Sequence, residues 1–254
     1  MTWSIIAHDA RAGEIGIAVS TCAFAVGARV PFVATGVGAI ATQAFVNPYY
    51  GARGLELLRA GASAEDVLRI VTAADEGRAQ RQAHLMDGRF RFAAYTGDSC
   101  VDWCGHLVRK DFSVAGNMLA GPQVIEATAD AFEKARRKPL AERFLAALRA
   151  GQAAGGDKRG KQSAAMLIHD SQEYALYDLR VDDHAEPIEE LARLYGVANQ
   201  RYIHYRKFMP SRENPAGVTD RDEIERRIAA AMKAAGAASR KPRAAPAQTK
   251  AGRA

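Results

Sequence analysis

Long apolar runs are missing from this 254-residue chain. No stretch approaches the ~18 uninterrupted apolar residues of a membrane-spanning helix, and no basic segment followed by a hydrophobic core opens the sequence. Neither membrane insertion nor a secretory leader is therefore expected. Cysteine is scarce: Cys22, Cys100 and Cys104 are the only three. In a chain without a signal peptide they imply reduced thiols and a cytoplasmic location. Acidic residues are absent after Gly236, where Arg240, Lys241, Arg243, Lys250 and Arg253 account for five of the six net positive charges. The body is thus nearly neutral, and the basic pI says little about its substrate.

Three further absences argue against metal and cofactor chemistry. Cys100, Cys104 and His106 supply three candidate zinc ligands, but no second closely spaced pair accompanies them and a fourth would have to come from as far as Cys22. Trp103 and these cysteines read as core or pocket wall. Asp182-Asp183-His184 lacks a matching cluster and reads as capping or a solvated surface. The segment Gly151–Ser163 holds four glycines, yet its spacing fits neither a phosphate loop nor a dinucleotide fingerprint. No metal and no cofactor are expected.

What is present begins at the second residue. Thr2 is small enough for methionine aminopeptidase to expose, and a terminal threonine carries a hydroxyl beside an α-amine that titrates near ~8, a nucleophile and a base on one residue. Thr2–Asp9 and Glu14–Thr21 are β-rich, apolar on both faces and joined by a Gly-containing turn, as in a sheet covered on both sides. After Val30-Pro31-Phe32, a third strand runs through Gly36 to Gln43. Helices are predicted over 50–60 and 63–74, the second capped by Ser63 with Asp66 closing a capping box. A hairpin follows over 81–96 with Asp87-Gly88 at its turn, then short strands over 105–108 and 112–116. Helices over 122–134 and 140–150 come next, then strands over 163–169 and 174–181, and a helix over 188–195. Tyr202, Tyr205 and Phe208 lie at near-helical intervals and read as packing. A linker from Ser211 leads to a helix over 220–234. The Ala/Pro/Lys/Arg segment after it is low-complexity and predicted disordered. The expected division is a main domain over 1–210, linker and helix over 211–235, and a basic tail over 236–254.

This order of elements fits two stacked antiparallel sheets with helices outside, an α+β, four-layer αββα sandwich. Several segments also carry a resemblance: Thr2-Trp3-Ser4-Ile5, Ala25-Val26-Gly27-Ala28, Ala41-Thr42-Gln43-Ala44, Asn47-Pro48 with Tyr50-Gly51, Gly116-Asn117-Met118-Leu119, the Gly151–Ala164 loop and Leu179–His184. Over about residues 2–200 they resemble the DUF1028 family of the N-terminal nucleophile (Ntn) hydrolase superfamily. The resemblance implies the αββα fold and puts Thr2 where superfamily members carry the residue that cleaves an amide. Ser20 falls where related proteasome-like enzymes place a supporting acidic group, a departure shared by the missing lysine after the third strand. Asn117 is similar to the asparagine several Ntn amidases aim at the oxyanion, worth roughly 3 kcal/mol.

The expected function is an Ntn-type amidohydrolase acting on a small or peptide-like amide. Thr2, Asn117 and Ser20 are its candidate catalytic residues, and Gln43, Asn47, Asp157, Arg159, Gln162 and Ser163 line its pocket. A homodimer is expected by analogy with the superfamily. The alternative is a non-catalytic ligand-binding protein on the same fold. Nucleic-acid contact through Arg201–Arg243 would require strongly salt-dependent binding and is not the expected role.

Overall fold

The computed structural model describes residues 2–239, with side chains as far as Ala234. The first residue and the segment 240–254, which carries most of the predicted disordered tail, lie outside the described residues. Two compact units make up the chain, 1–196 and 197–254.

Strands β1 (Thr2–Asp9), β2 (Glu14–Thr21), β3 (Pro31–Ala34) and β4 (Gly38–Ala44) are followed by helices α1 (Pro48–Arg59) and α2 (Ala64–Ala73). Strands β5 (Arg81–Asp87), β6 (Phe92–Thr96), β7 (Gly105–Val108) and β8 (Phe112–Asn117) precede α3 (Gln123–Lys134) and α4 (Leu140–Ala153). Strands β9 (Ser163–His169) and β10 (Tyr177–Val181) then lead into α5 (Pro187–Gln200). Where one strand was expected over 36–43, preceded by Val30-Pro31-Phe32, the chain forms an antiparallel pair, β3 and β4, because Gly36 (φ 71°) permits a tight reversal. The last strand starts at Tyr177, not Tyr174.

Both sheets are antiparallel throughout. One has the order β10-β9-β2-β1-β8-β7, the other β3-β4-β5-β6. The expected sandwich is therefore present, and strand alternation explains its layers. Ile6, Ile15, Ile17 and Val19 of the larger sheet meet Ala39, Ala41 and Met86 of the smaller one between the sheets. On the outer face of the smaller sheet, Ile40, Ala83 and Leu85 pack under Leu58, Val67, Leu68 and Val71 of α1 and α2. On the outer face of the larger sheet, Phe112 meets Phe132 of α3, which stacks on Phe144 of α4. Fully buried apolar side chains on three levels are what hold a single-chain sandwich together, at roughly 25 cal/mol per Å² of apolar surface removed from water.

The Ser63–Asp66 box forms as expected at the start of α2, while α1 starts two residues before the expected 50. The Ser63 hydroxyl accepts from the Asp66 N–H at 3.1 Å and donates to Asp66 Oδ2 at 2.8 Å, while Asn47 Oδ1 accepts from the Tyr49 N–H and Pro48 opens α1.

In the second unit, α6 (Tyr202–Tyr205) is followed by α7 (Arg221–Ser239). Phe208 packs against Val218, Ile224 and Ile228, with the Arg227 guanidinium 4.8 Å above its ring. Helix α7 continues to Ser239, past the Gly236 at which the tail was expected to begin. Among the described residues no helix is long and apolar enough to cross a membrane.

Candidate functional site

Alternation along β1 assigns its two faces. Trp3 lies against Gly151 of α4 on the helix side, so Thr2 and Ser4 face the other sheet. The strand register then aligns four polar residues in one row: Asn117 of β8 opposite Thr2, and Ser163 of β9 opposite Thr21 of β2, which follows the Trp3–Ser20 pair. The Thr2 hydroxyl donates to Thr21 Oγ1 at 3.2 Å. In the chain that carries Met1, Thr2 is 8% exposed.

Ser20, one residue earlier, belongs to the opposite face, and its hydroxyl approaches only the Ser163 carbonyl, at 3.4 Å. The neighbour of the Thr2 hydroxyl on β2 is thus Thr21, and the structure does not bring Ser20 to it. A shift of one position along a strand exchanges the faces, which is why placement by analogy missed it.

Behind Thr2 runs a buried polar network that bridges the sheets. Gln43 Nε2 donates to Gln82 Oε1 at 2.8 Å and approaches the Thr2 carbonyl at 3.4 Å. Asn117 Nδ2 does the same, at 3.1 and 3.4 Å. Gln82 turns its own amide nitrogen to Thr96 Oγ1, the Gly116 carbonyl and the Gly105 carbonyl at 2.8–3.1 Å. The Ser4 hydroxyl donates to Gln43 Oε1 at 2.6 Å, so its 2.8 Å contact with His84 must be accepted from Nε2–H. His84 Nδ1 then accepts from the Ser113 hydroxyl. This pattern selects the neutral tautomer, in keeping with a pKa pulled down to about 3 by burial and, secondarily, by His106. Every amide nitrogen in the chain from Ser113 to the Thr2 carbonyl has an acceptor, which matters because an orphaned buried polar group costs about 1–3 kcal/mol.

The remaining expected site residues divide into separate places. Asp157 is buried and accepts from the Cys22 N–H at 2.8 Å and from the Arg159 N–H at 2.8 Å, with the Arg159 guanidinium at 3.3 Å. The Ser163 hydroxyl donates to the Ala23 carbonyl and accepts from the Val26 N–H. Gln162 donates to Asp183 at 3.1 Å. Asp157 and Ser163 therefore hold the loop that follows β2, and Gln162 ties its own segment to the one that follows β10. Gln43 is buried inside the sandwich. Asn47 belongs elsewhere: its Nδ2 donates to Asp75 Oδ2 at 3.0 Å, where Tyr50 OH, Arg81 Nε and the Gly77 N–H also donate. Burial opposes ionisation of Asp75, but those donors outweigh it and hold the carboxyl well below the usual range. Asn47, Tyr50 and Asp75 line a cavity of about 670 Å³ beside α1 and α2, and Thr2 is not among its lining residues. Among the described residues no group of three or more His, Cys, Asp or Glu is arranged to hold a metal.

One end of the sandwich, where Thr2 sits, carries an apolar rim. Phe24, Phe45, Tyr49 and Val101 are exposed by 60, 69, 67 and 57%, the highest values among large apolar side chains of the described residues. The strand ends place three of them there: Phe24 follows β2, Phe45 follows β4, and the Val101 carbonyl accepts from the N–H of Met118, next to Asn117, whereas Tyr49, in the first turn of α1, lines the 670 Å³ cavity. Three non-glycine residues in the left-handed region adjoin this rim, Ala25 (φ 54°), Ala44 (φ 68°) and Met118 (φ 54°). Each costs about 1 kcal/mol, and such strain collects at functional sites. Arginines fasten two of the aromatic segments, Arg29 donating to the Phe24 carbonyl and Arg81 to the Phe45 carbonyl.

The model of DUF1028, described as a family of unknown function, matches residues 2–191. The crystal structure of protein SPO2555 from Silicibacter pomeroyi, a DUF1028 protein, is similar at 34% identity and a TM-score of 0.80, covering 86% of this chain and 99% of that one. Anbu (ancestral beta-subunit) from Yersinia bercovieri aligns over 78% of this chain and 94% of its own at 10% identity, with a TM-score of 0.38. No curated protein of assigned function matches.

Proposed function

Because the chain belongs to the DUF1028 family, whose function is unknown, its activity has to be argued from its own residues, and we propose that it is an amidohydrolase with Thr2 as N-terminal nucleophile. The observation that carries this reading is the convergence of Thr21, Asn117 and Gln43 on the second residue of the chain. While Met1 is attached, the Thr2 nitrogen is an amide and cannot serve as a base. Removal of Met1 turns it into an amine titrating near ~8. The Thr2 hydroxyl then attacks the substrate carbonyl and passes its proton to that amine, which returns it to the departing nitrogen. The resulting ester on Thr2 is released by water.

The Asn117 amide is already directed at Gln82 and at the Thr2 carbonyl. With Gln43 it clamps that carbonyl, which orients the residue bearing the nucleophile, so Asn117 acts as a positioning residue. The apolar rim fits a small or peptide-like amide with an apolar group next to the scissile bond.

Intact-mass measurement of the purified protein is expected to show loss of Met1. Against a panel of N-acyl and dipeptide amides, Thr2→Ala is expected to lose at least roughly 10³-fold in turnover. Retained Met1, or a Thr2→Ala variant as active as the parent, refutes the proposal. A second reading, a ligand-binding protein, is favoured by the 670 Å³ cavity, which Thr2 does not line. It requires ligand affinity that Thr2→Ala leaves unchanged, with no amide turned over by either protein.

A further inference from the structure

At the other end of β1, roughly 20 Å from Thr2 at ~3.3 Å per residue, a separate pocket of about 230 Å³ is lined by His8, Asp9, Arg11, Asp111, Arg136 and Arg143. Arg143 projects from α4, and its side chain is only 9% exposed. Its guanidinium lies 3.9 Å above the Phe132 ring, which closes one face and offers no acceptor. The facing carboxylate, Asp9, stands 3.9 Å from one terminal nitrogen, beyond hydrogen-bond reach. Arg143 Nε is buried without a partner, and so is His8 Nδ1.

A buried guanidinium without an acceptor is costly, since removing a charge from water is offset only by a hydrogen-bonded counter-charge. Asp9 does not supply it, because Arg11 already holds Asp9 in a two-point pair, Nε to Oδ1 at 3.1 Å and a terminal nitrogen to Oδ2 at 2.8 Å. Asp111 is mostly exposed and lies 3.7 Å from His8 Nε2. Three arginines therefore line the pocket against two carboxylates, one of them already engaged, and the Arg136 carbonyl accepts from Arg11 at 2.9 Å. Burial pulls the Arg143 pKa down, with Asp9 opposing, as expected of a cation lacking a close counter-ion.

We infer that this pocket binds a small oxyanion, the group carried by a phosphate or a carboxylate, with Arg143 as the anchor and Arg136 at the rim. Planar guanidinium groups present paired donors that match both anions. The proposal is independent of any chemistry at Thr2, since it draws on a different end of the fold.

Calorimetric titration of the full chain with inorganic phosphate and, separately, with succinate tests it, against sodium chloride at matched ionic strength. Saturable binding is expected for at least one of the two, accompanied by a rise in Tm that grows with anion concentration. Arg143→Met is expected to weaken that binding at least tenfold. Should Arg143→Met fail to fold, Arg136→Ala at an exposed position serves instead, with a several-fold loss. Phosphate alone binding assigns a phosphate-bearing ligand, and succinate alone a carboxylate. No saturable binding of either anion, or binding equally strong in Arg143→Met, overturns the inference, as does equal binding in Arg136→Ala if that variant has to stand in.

Discussion

Lowering the pH should weaken the sandwich through one side chain, His84. Its imidazole is wholly buried between the sheets, donates from Nε2 to Ser4 and accepts at Nδ1 from Ser113. Protonation would place a charge there with no carboxylate in the network and force the Ser113 hydroxyl to reverse. Burial, with His106 adding to it, holds the folded pKa at about 3, whereas the unfolded chain titrates near ~6.5. Between those values the unfolded state binds the extra proton, so the His84 contribution is complete above about pH 6.5 and is lost as pH falls toward 3. At pH 4.5 the unfolded side chain is protonated by two pH units and the folded one hardly at all. Two units correspond to about 3 kcal/mol. Urea unfolding at pH 7 and pH 4.5 measures this directly. The parent should lose about 3 kcal/mol more than His84→Gln over that interval, since His8 and His106, whose pKa values burial also lowers, remain in both proteins. Parallel pH dependences in the two would refute the reasoning.

Two other perturbations follow from the packing around α1. Asp75→Ala removes the acceptor shared by Asn47, Tyr50, Arg81 and the Gly77 N–H, and is expected to destabilise by on the order of 3 kcal/mol in urea titration, against no change if that carboxylate were merely solvated. Gly51→Ala would bring a methyl group to 2.1 Å from the Phe32 ring, so a loss of about 1–3 kcal/mol and a lower Tm are expected, while an unchanged melting curve would mean that α1 and β3 separate freely.

Most elements were legible because their signals are local. The β1–β2 hairpin reads from two apolar runs around Gly13, and α2 reads from Ser63 and Asp66, which bond each other as their spacing suggests. The polar network was not legible as a unit. Gln82 and His84 alternate with Ala83 and Leu85, as Ser113 and Asn117 alternate with Val114 and Gly116, and this period of two was the available signal. A polar residue on such a face is ordinarily solvated, so the pattern alone marks one face of each strand without saying that two such faces meet.

The pocket-lining residues show the same division. Asp157 and Ser163 are close in sequence and both hold the loop after β2, while Gln162 between them reaches Asp183 after β10. Asn47 and Gln43 are four positions apart and serve different surroundings, because the chain passes from inside the sandwich to the first turn of α1 between them.

By itself the sequence determined which segments are strands and helices, that the sheets are covered on both sides, and that a threonine stands second in the chain, since these depend on residue type and spacing along a short stretch. Only the tertiary structure decided that Thr21 and not Ser20 neighbours Thr2, that Asn117 and Gln43 grip one carbonyl, and that Arg143 lies buried without an acceptor. Those outcomes depend on strand register and on which faces are brought together across 19 to 134 positions of chain, and distance through space is a quantity that local pattern does not carry.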